Sequence, residues 1–205
     1  TGSNTYTGGT QVDAGTLALR ASSSAGMGDI TLGADTSLQA NDSITLSNNV
    51  VLTGENSANR TVNTNSFDVT VNGDLSGSRF IKTGSGMLTL NGGNTQSGVQ
   101  VSEGTLALGQ SSSIGNGDVK MLAGTTLQAN NDLTIGRDVD LTGEVTLNTQ
   151  GYDVLVQGLL SNVAGSDAGA LTKTGSGVLT LSNTNGYSGG TTISAGTVKL
   201  MQAGA

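Results

Sequence analysis

Apolar residues fall at every second position in short runs along this chain. Leu17 and Leu19 alternate with Thr16 and Ala18, and the same pattern gives Ile30/Leu32, Leu38/Ala40, Ile44/Leu46 and Phe67/Val69/Val71. Later it gives Leu106/Leu108, Val119/Met121, Leu127/Ala129, Leu133/Ile135 and Tyr152/Val154/Val156. Successive side chains of a strand point to opposite faces, so each run predicts a short strand with one buried face. Gly, Asn and Asp punctuate the runs, where positive φ is tolerated. No window carries a helical period.

The runs repeat. GTLAL at Gly15–Leu19 returns at Gly104–Leu108, SLQAN ending at Asn41 returns as TLQAN ending at Asn130, and VVLTGE ending at Glu55 returns as VDLTGE ending at Glu144. These three pairs share one offset of about 89 residues, the mark of a repeat architecture. NSFDVTVNGDLS at Asn65–Ser76 matches QGYDVLVQGLLS at Gln150–Ser161, and KTGSGMLTL at Lys82–Leu90 matches KTGSGVLTL at Lys173–Leu181. A third copy begins at Asn185–Leu200, echoing Asn4–Leu19. The second copy is shorter near Glu144–Leu147 and longer near Asn162–Ala170, which predicts an exposed, mobile loop at Asn162–Ala170.

Strands of about 4–6 residues with almost no aromatics cannot close a sandwich core. Coiling solves this: each turn lays its strands beside those of the turn before, at about 4.8 Å, and stacks its apolar residues in a narrow interior. The expectation is an all-β, right-handed parallel β-helix (solenoid) of about eight to ten rungs. At about 20–25 residues per rung the long repeat spans about four rungs, and the rod is roughly 40–50 Å long. The competing reading is an antiparallel sandwich or barrel. Pro is absent from the chain, as suits a fold made almost wholly of central strands.

Composition narrows function. The chain has no His and no Cys, which removes the commonest acid-base group, the thiol nucleophile, disulfides and thiolate metal sites. The net charge is −7 with dispersed acids, so nucleic acid and anionic lipid are poor partners. No apolar stretch is long enough to insert in a membrane. No signal peptide opens the chain, and it begins and ends inside a repeated motif, which reads as an excised fragment.

Candidate chemistry is thin. Asp132, Asp138, Asp140 and Glu144 form the densest acidic run. Such a run suits a weak Ca²⁺ site or an acid/base pair, or a solvated strand face offset by Arg137. The bland reading is favoured because the first copy has Asn49 and Val51 at the places of Asp138 and Asp140. GMGD at Gly26–Asp29 and GNGD at Gly115–Asp118 resemble Ca²⁺-binding turns but stand singly, so ordinary turns are expected. Lys82 and Lys173 are expected to be surface charges that discourage edge pairing, with partner binding as the other reading. Asn41-Asp-Ser and Asn59-Arg-Thr fit the N-glycosylation pattern. No cofactor or metal is expected.

The segment Leu171–Leu200 resembles the autotransporter-associated β-strand repeat, also called the passenger-associated transport repeat. That motif runs L-x-K-x-G-x-G-x-L-x-L, a polar turn, Y-x-G-G-T, then G-T-L-x-L. Lys173, Gly175, Gly177, Leu179 and Leu181 fit its first part, Tyr187, Gly189, Gly190 and Thr191 its second, and Gly196, Thr197, Val198 and Leu200 its third. The middle copy, residues 80–108, carries Lys82, Gly84, Gly86, Leu88 and Leu90, but Gln96 stands where Tyr is expected. The opening copy, residues 4–19, lacks its first half, and residues 20–79 and 109–170 read as spacer rungs.

The resemblance implies a passenger of type V secretion at the cell surface or outside a Gram-negative bacterium. Its partner during secretion would be its own C-terminal outer-membrane β-barrel translocator. The function expected is a non-catalytic stalk that supports passenger secretion and folding. The alternative is an adhesin or self-association module binding a host surface or an identical passenger. A polysaccharide-active β-helix enzyme is the remote alternative.

Overall fold

The computed structural model describes residues Ser3–Met201. The chain winds into a stack of coils, and its strand pairings are parallel, each joining one coil to the next. That excludes the antiparallel sandwich. One strand wall runs Gly15–Leu19, Thr36–Ala40, Arg60–Asn63, Phe80–Thr83, Val99–Val101, Val119–Met121, Val139–Leu141 and Leu160–Asn162. A second wall, reached next along the chain, runs Ile44–Leu46, Val69–Val71, Met87–Leu90, Thr105–Leu108, Thr126–Ala129, Glu144–Asn148, Ala170–Thr174 and Thr191–Ile193.

The third wall is in two parts. Thr10–Val12, Ile30–Leu32, Val50–Leu52 and Leu75–Gly77 form one, and Leu133–Ile135, Val154–Val156, Val178–Leu181 and Thr197–Leu200 the other. Between them lie two levels without strands, one containing the 3-10 turn Ser111–Ile114. Hydrogen bonds still carry the stack across: Thr95 N–H to Leu75 O, Asn116 N–H to Gln96 O, and Thr134 N–H to Ser111 Oγ. The result is a three-walled β-solenoid of about ten levels.

The alternation read from sequence sets which side chains enter. Val69, Leu88, Leu106 and Leu127 stack in register on the second wall, all buried. Their outward neighbours Thr70, Thr89, Ala107 and Gln128 stack likewise on the other side. Burial of such side chains contributes about 1.5–3 kcal/mol each. The long insertion behaves as expected in part: Ala164–Ala168 form an exposed turn, closed where Asn162 Oδ1 accepts the Gly169 N–H at 2.8 Å.

The long repeat is not four turns, as its length suggested, but four and a third. GTLAL at Gly15–Leu19 lies on the first wall, its second copy Thr105–Leu108 on the second, and its third copy Thr197–Leu200 on the third. Lys82 lies on the first wall and Lys173 on the second. Val50–Leu52 on the third wall is matched by Val139–Leu141 on the first. Every repeated segment has moved on by one wall, so the period is thirteen strand positions. The three walls are near enough alike for one sequence to fit each.

Candidate functional site: the lysine-pinned corner

The residues of the repeat meet at one corner, where the first wall turns into the second. After Phe80–Thr83 the chain turns at Thr83-Gly84-Ser85-Gly86 and enters Met87–Leu90. Gly84 turns with φ +81°, and Gly104, stacked on it from the next coil, with φ +70°. Both lie in the left-handed region that glycine takes without strain. A Cβ on Gly104 would also collide with the Gly84 and Gly86 carbonyl oxygens. These left-handed turns leave the Gly84 and Glu103 carbonyls without a backbone N–H partner among the described residues. A buried carbonyl without a donor is unfavourable.

Lys82 supplies the donor. Its side chain is fully buried, and its Nζ donates to Gly84 O at 2.7 Å, Glu103 O at 3.0 Å, Thr83 O at 3.2 Å and Thr64 Oγ1 at 3.0 Å. These acceptors come from three consecutive coils. The Gly84 N–H in turn donates to the Glu103 carboxylate at 3.0 Å. Burial pushes the Lys82 amine down to about 8, against the opposing pull of the Glu103 and Asp68 carboxylates.

The next complete copy builds the same corner one wall further round. Lys173 Nζ donates to Thr174 O and Gly175 O at 2.8 Å and to Ala195 O at 3.1 Å. Its side chain is fully buried, and burial lowers its pKa. Gly175 and Gly196 repeat the left-handed turns, at φ +79° and +73°. The expectation that Lys82 and Lys173 are surface charges is therefore wrong. Their charge is used inside, on carbonyls that the glycine turns leave bare. The spacing K-x-G in one coil and G-T in the next is the sequence of this corner. Leu88, Leu90, Leu179 and Leu181, which follow it, are core residues.

A second corner carries the middle of the motif. The Tyr6 and Tyr187 hydroxyls pair with Thr10 Oγ1 and Thr191 Oγ1. The ring of Tyr6 lies where a Cβ on Gly26 of the next coil would be. Gln96 takes the place of Tyr in the middle copy, and its amide lies likewise against Gly115. The first glycines of GMGD and GNGD are thus clearance for the side chain beneath them. Gly189, beside Tyr187, donates its N–H to Gly169 O at 2.7 Å, and Gly190 turns with φ +85°. Gly86 and Gly177 pass so close to the backbones of Phe67 and Tyr152 that neither leaves room for a side chain.

The four carboxylates singled out from sequence do not converge. Asp132 accepts from the Asp153 N–H at 2.9 Å, Asp138 from the Leu159 N–H at 2.8 Å, Asp140 from Ser161 Oγ, and Glu144 from Thr172 Oγ1 at 2.9 Å. Every donor belongs to the following coil, so these acids bracket one coil to the next. Among the described residues no group of three or more acids could hold a metal ion.

Several residues of the site were not visible in the pattern. Thr64 and Glu103 complete the lysine corner. Asn94 is buried, accepts from Leu75 N–H and donates to Ser113 O, both at 2.7 Å, joining three coils. Asn185, at the matching place, accepts from the Leu160 N–H at 2.8 Å. Arg60 is fully buried and donates to the Thr53, Glu55 and Ala58 carbonyls at 2.6, 2.9 and 3.1 Å. For the lysines, the clue lay in a cation that recurs two residues before a glycine, at Lys82–Gly84 and Lys173–Gly175.

The family model described as passenger-associated-transport-repeat matches residues 1–19, 80–108 and 171–200. The chain carries three passenger-associated transport repeats. The second and third contain the two lysine corners, and the first contributes a Tyr corner and a G-T-L-A-L strand. Comparison with curated proteins and with solved structures returns no match.

Proposed function

We propose that the chain is a non-catalytic structural segment of an autotransporter passenger. In this reading it is a stiff, secreted or surface-exposed stalk whose transport repeats help the passenger fold as it emerges. The observation that carries the reading is that two of the three matched repeats each build a corner tying successive coils together by a buried lysine. Each coil pairs its strands only with those of its neighbours, so folding proceeds coil on coil with low contact order. A coil folded outside the cell biases the chain against sliding back through its own outer-membrane translocator.

The test is deletion of residues 171–200 from the full-length protein. Surface display is expected to fall, and unchanged display would count against the role in secretion. One observation favours a second role, self-association. Thr105, Thr126, Thr146, Thr172 and Thr192 stand in one outward column of the second wall, a neutral stripe on an acidic chain. Thr126→Glu with Thr146→Glu should then abolish clumping of cells displaying the protein; clumping at the wild-type level would reject this role.

A further inference from the structure

We propose that each pinned lysine is a latch: it seats only when the following coil has been laid down, and once seated it makes the coils it joins open together. This deepens the secretion reading above but is tested without secretion. The oxygens around Lys82 Nζ come from Thr64 in the preceding coil, Thr83 and Gly84 in its own, and Glu103 in the next. Until the coil of Glu103 arrives, the corner lies at the open end of the stack, and water solvates the ammonium and the Gly84 carbonyl alike. When that coil docks, water leaves and the amine becomes the donor for the Gly84 and Glu103 carbonyls. The carboxylate of Glu103 takes the Gly84 N–H in the same step.

Afterwards the next coil cannot lift without breaking a charge-assisted hydrogen bond, the strong kind. Other levels of the stack are joined by backbone ladders and by side-chain bonds such as those of Asn94 and Asp138, and such repeats fray one coil at a time. The Lys82 level differs because the side chain that spans three coils there is a buried cation. The third copy repeats the device in part: Lys173 Nζ reaches Thr174 O and Gly175 O in its own coil and Ala195 O in the next, so it joins two coils, and Ala195 in place of Glu103 supplies no carboxylate.

Native-state hydrogen exchange on the 205-residue chain tests this. In Lys82→Met, amides of Val99–Val101 and Thr105–Leu108 should exchange about 10- to 100-fold faster, the effect of losing a hydrogen bond to a charged group. Amides of Val154–Val156 and Val178–Leu181 should keep their rates. Thr64→Val, which preserves shape but removes one acceptor of Lys82 together with the hydroxyl's donation to the Thr83 and Gly86 carbonyls, should give a smaller acceleration at the same amides and serves if the methionine variant does not fold. Unchanged rates at 99–108, or equal acceleration along the whole chain, would overturn the latch. Reduced display with unchanged exchange would leave the secretion role standing and remove the latch; the converse result would do the opposite.

Discussion

At the scale of single residues, three of the chain's eight cations, Arg60, Lys82 and Lys173, are spent on the interior. A buried ammonium is tolerated because its N–H groups are taken up, in part by carbonyls such as those of Gly84 and Glu103 that accept no backbone N–H among the described residues. The desolvation remains, and it gives a pH dependence. The Lys82 amine titrates near 8 in the folded chain and near 10.5 when solvated. The folded stack therefore holds the proton less tightly than the unfolded chain. The unfavourable contribution is fully present below pH 8 and is relieved as pH rises from about 8 to 10.5, so stability rises through that window.

With no His or Cys to obscure it, the urea midpoint should climb between pH 8 and 10, and Lys82→Met should lose part of the climb. Glu103→Gln should push the amine lower still and start the climb earlier. Inward leucines and valines were legible in the sequence because alternation marks them. The lysines were not, because a charged residue beside a polar turn reads as surface unless the bare carbonyls next to it are seen.

At the scale of the elements, the interruption of the third wall shows what can replace a strand. Across the two strandless levels, Asn94, Gln96 and Ser113 point inward, where apolar residues stand in other coils. Asn94 links Leu75 N–H to Ser113 O, Ser113 Oγ donates to Gly92 O at 2.9 Å, and Gln96 Nε2 donates to Ile114 O at 3.0 Å. Side chains here share with isolated backbone bonds the pairing that strand ladders do elsewhere. Asn94→Ala should therefore destabilise by about 1–3 kcal/mol, since it leaves a buried N–H and a buried carbonyl bare, as read from chemical denaturation.

Period-two alternation made most strands legible. It fails at Arg60–Asn63, whose inward residues are Arg60 and Val62, and it ran too far at Phe67 and Tyr152, which lie just outside their strands and are half-buried and exposed respectively. The walls reward alternation only where the side chain entering is apolar.

At the scale of the whole molecule, the parallel solenoid was legible because the repeat is long and the chain lacks Pro. The number of coils per repeat was not, because length alone cannot separate four turns from four and a third. Corners of unequal length, such as Thr53–Arg60 against its shortened counterpart at Thr142–Glu144, blur the residue count per coil. A chain lengthened by one further thirteen-strand repeat should gain about 21 Å in maximum dimension, at about 4.8 Å per level, as measured by small-angle scattering.

The extra third of a turn also acts on whatever lies beyond. Because thirteen strands leave one wall over, each added copy lifts the distal end and swings it a third of a revolution about the axis. Copy number thus sets heading as well as height: a gain or loss of one copy re-aims everything carried above it, and only three together restore the original bearing.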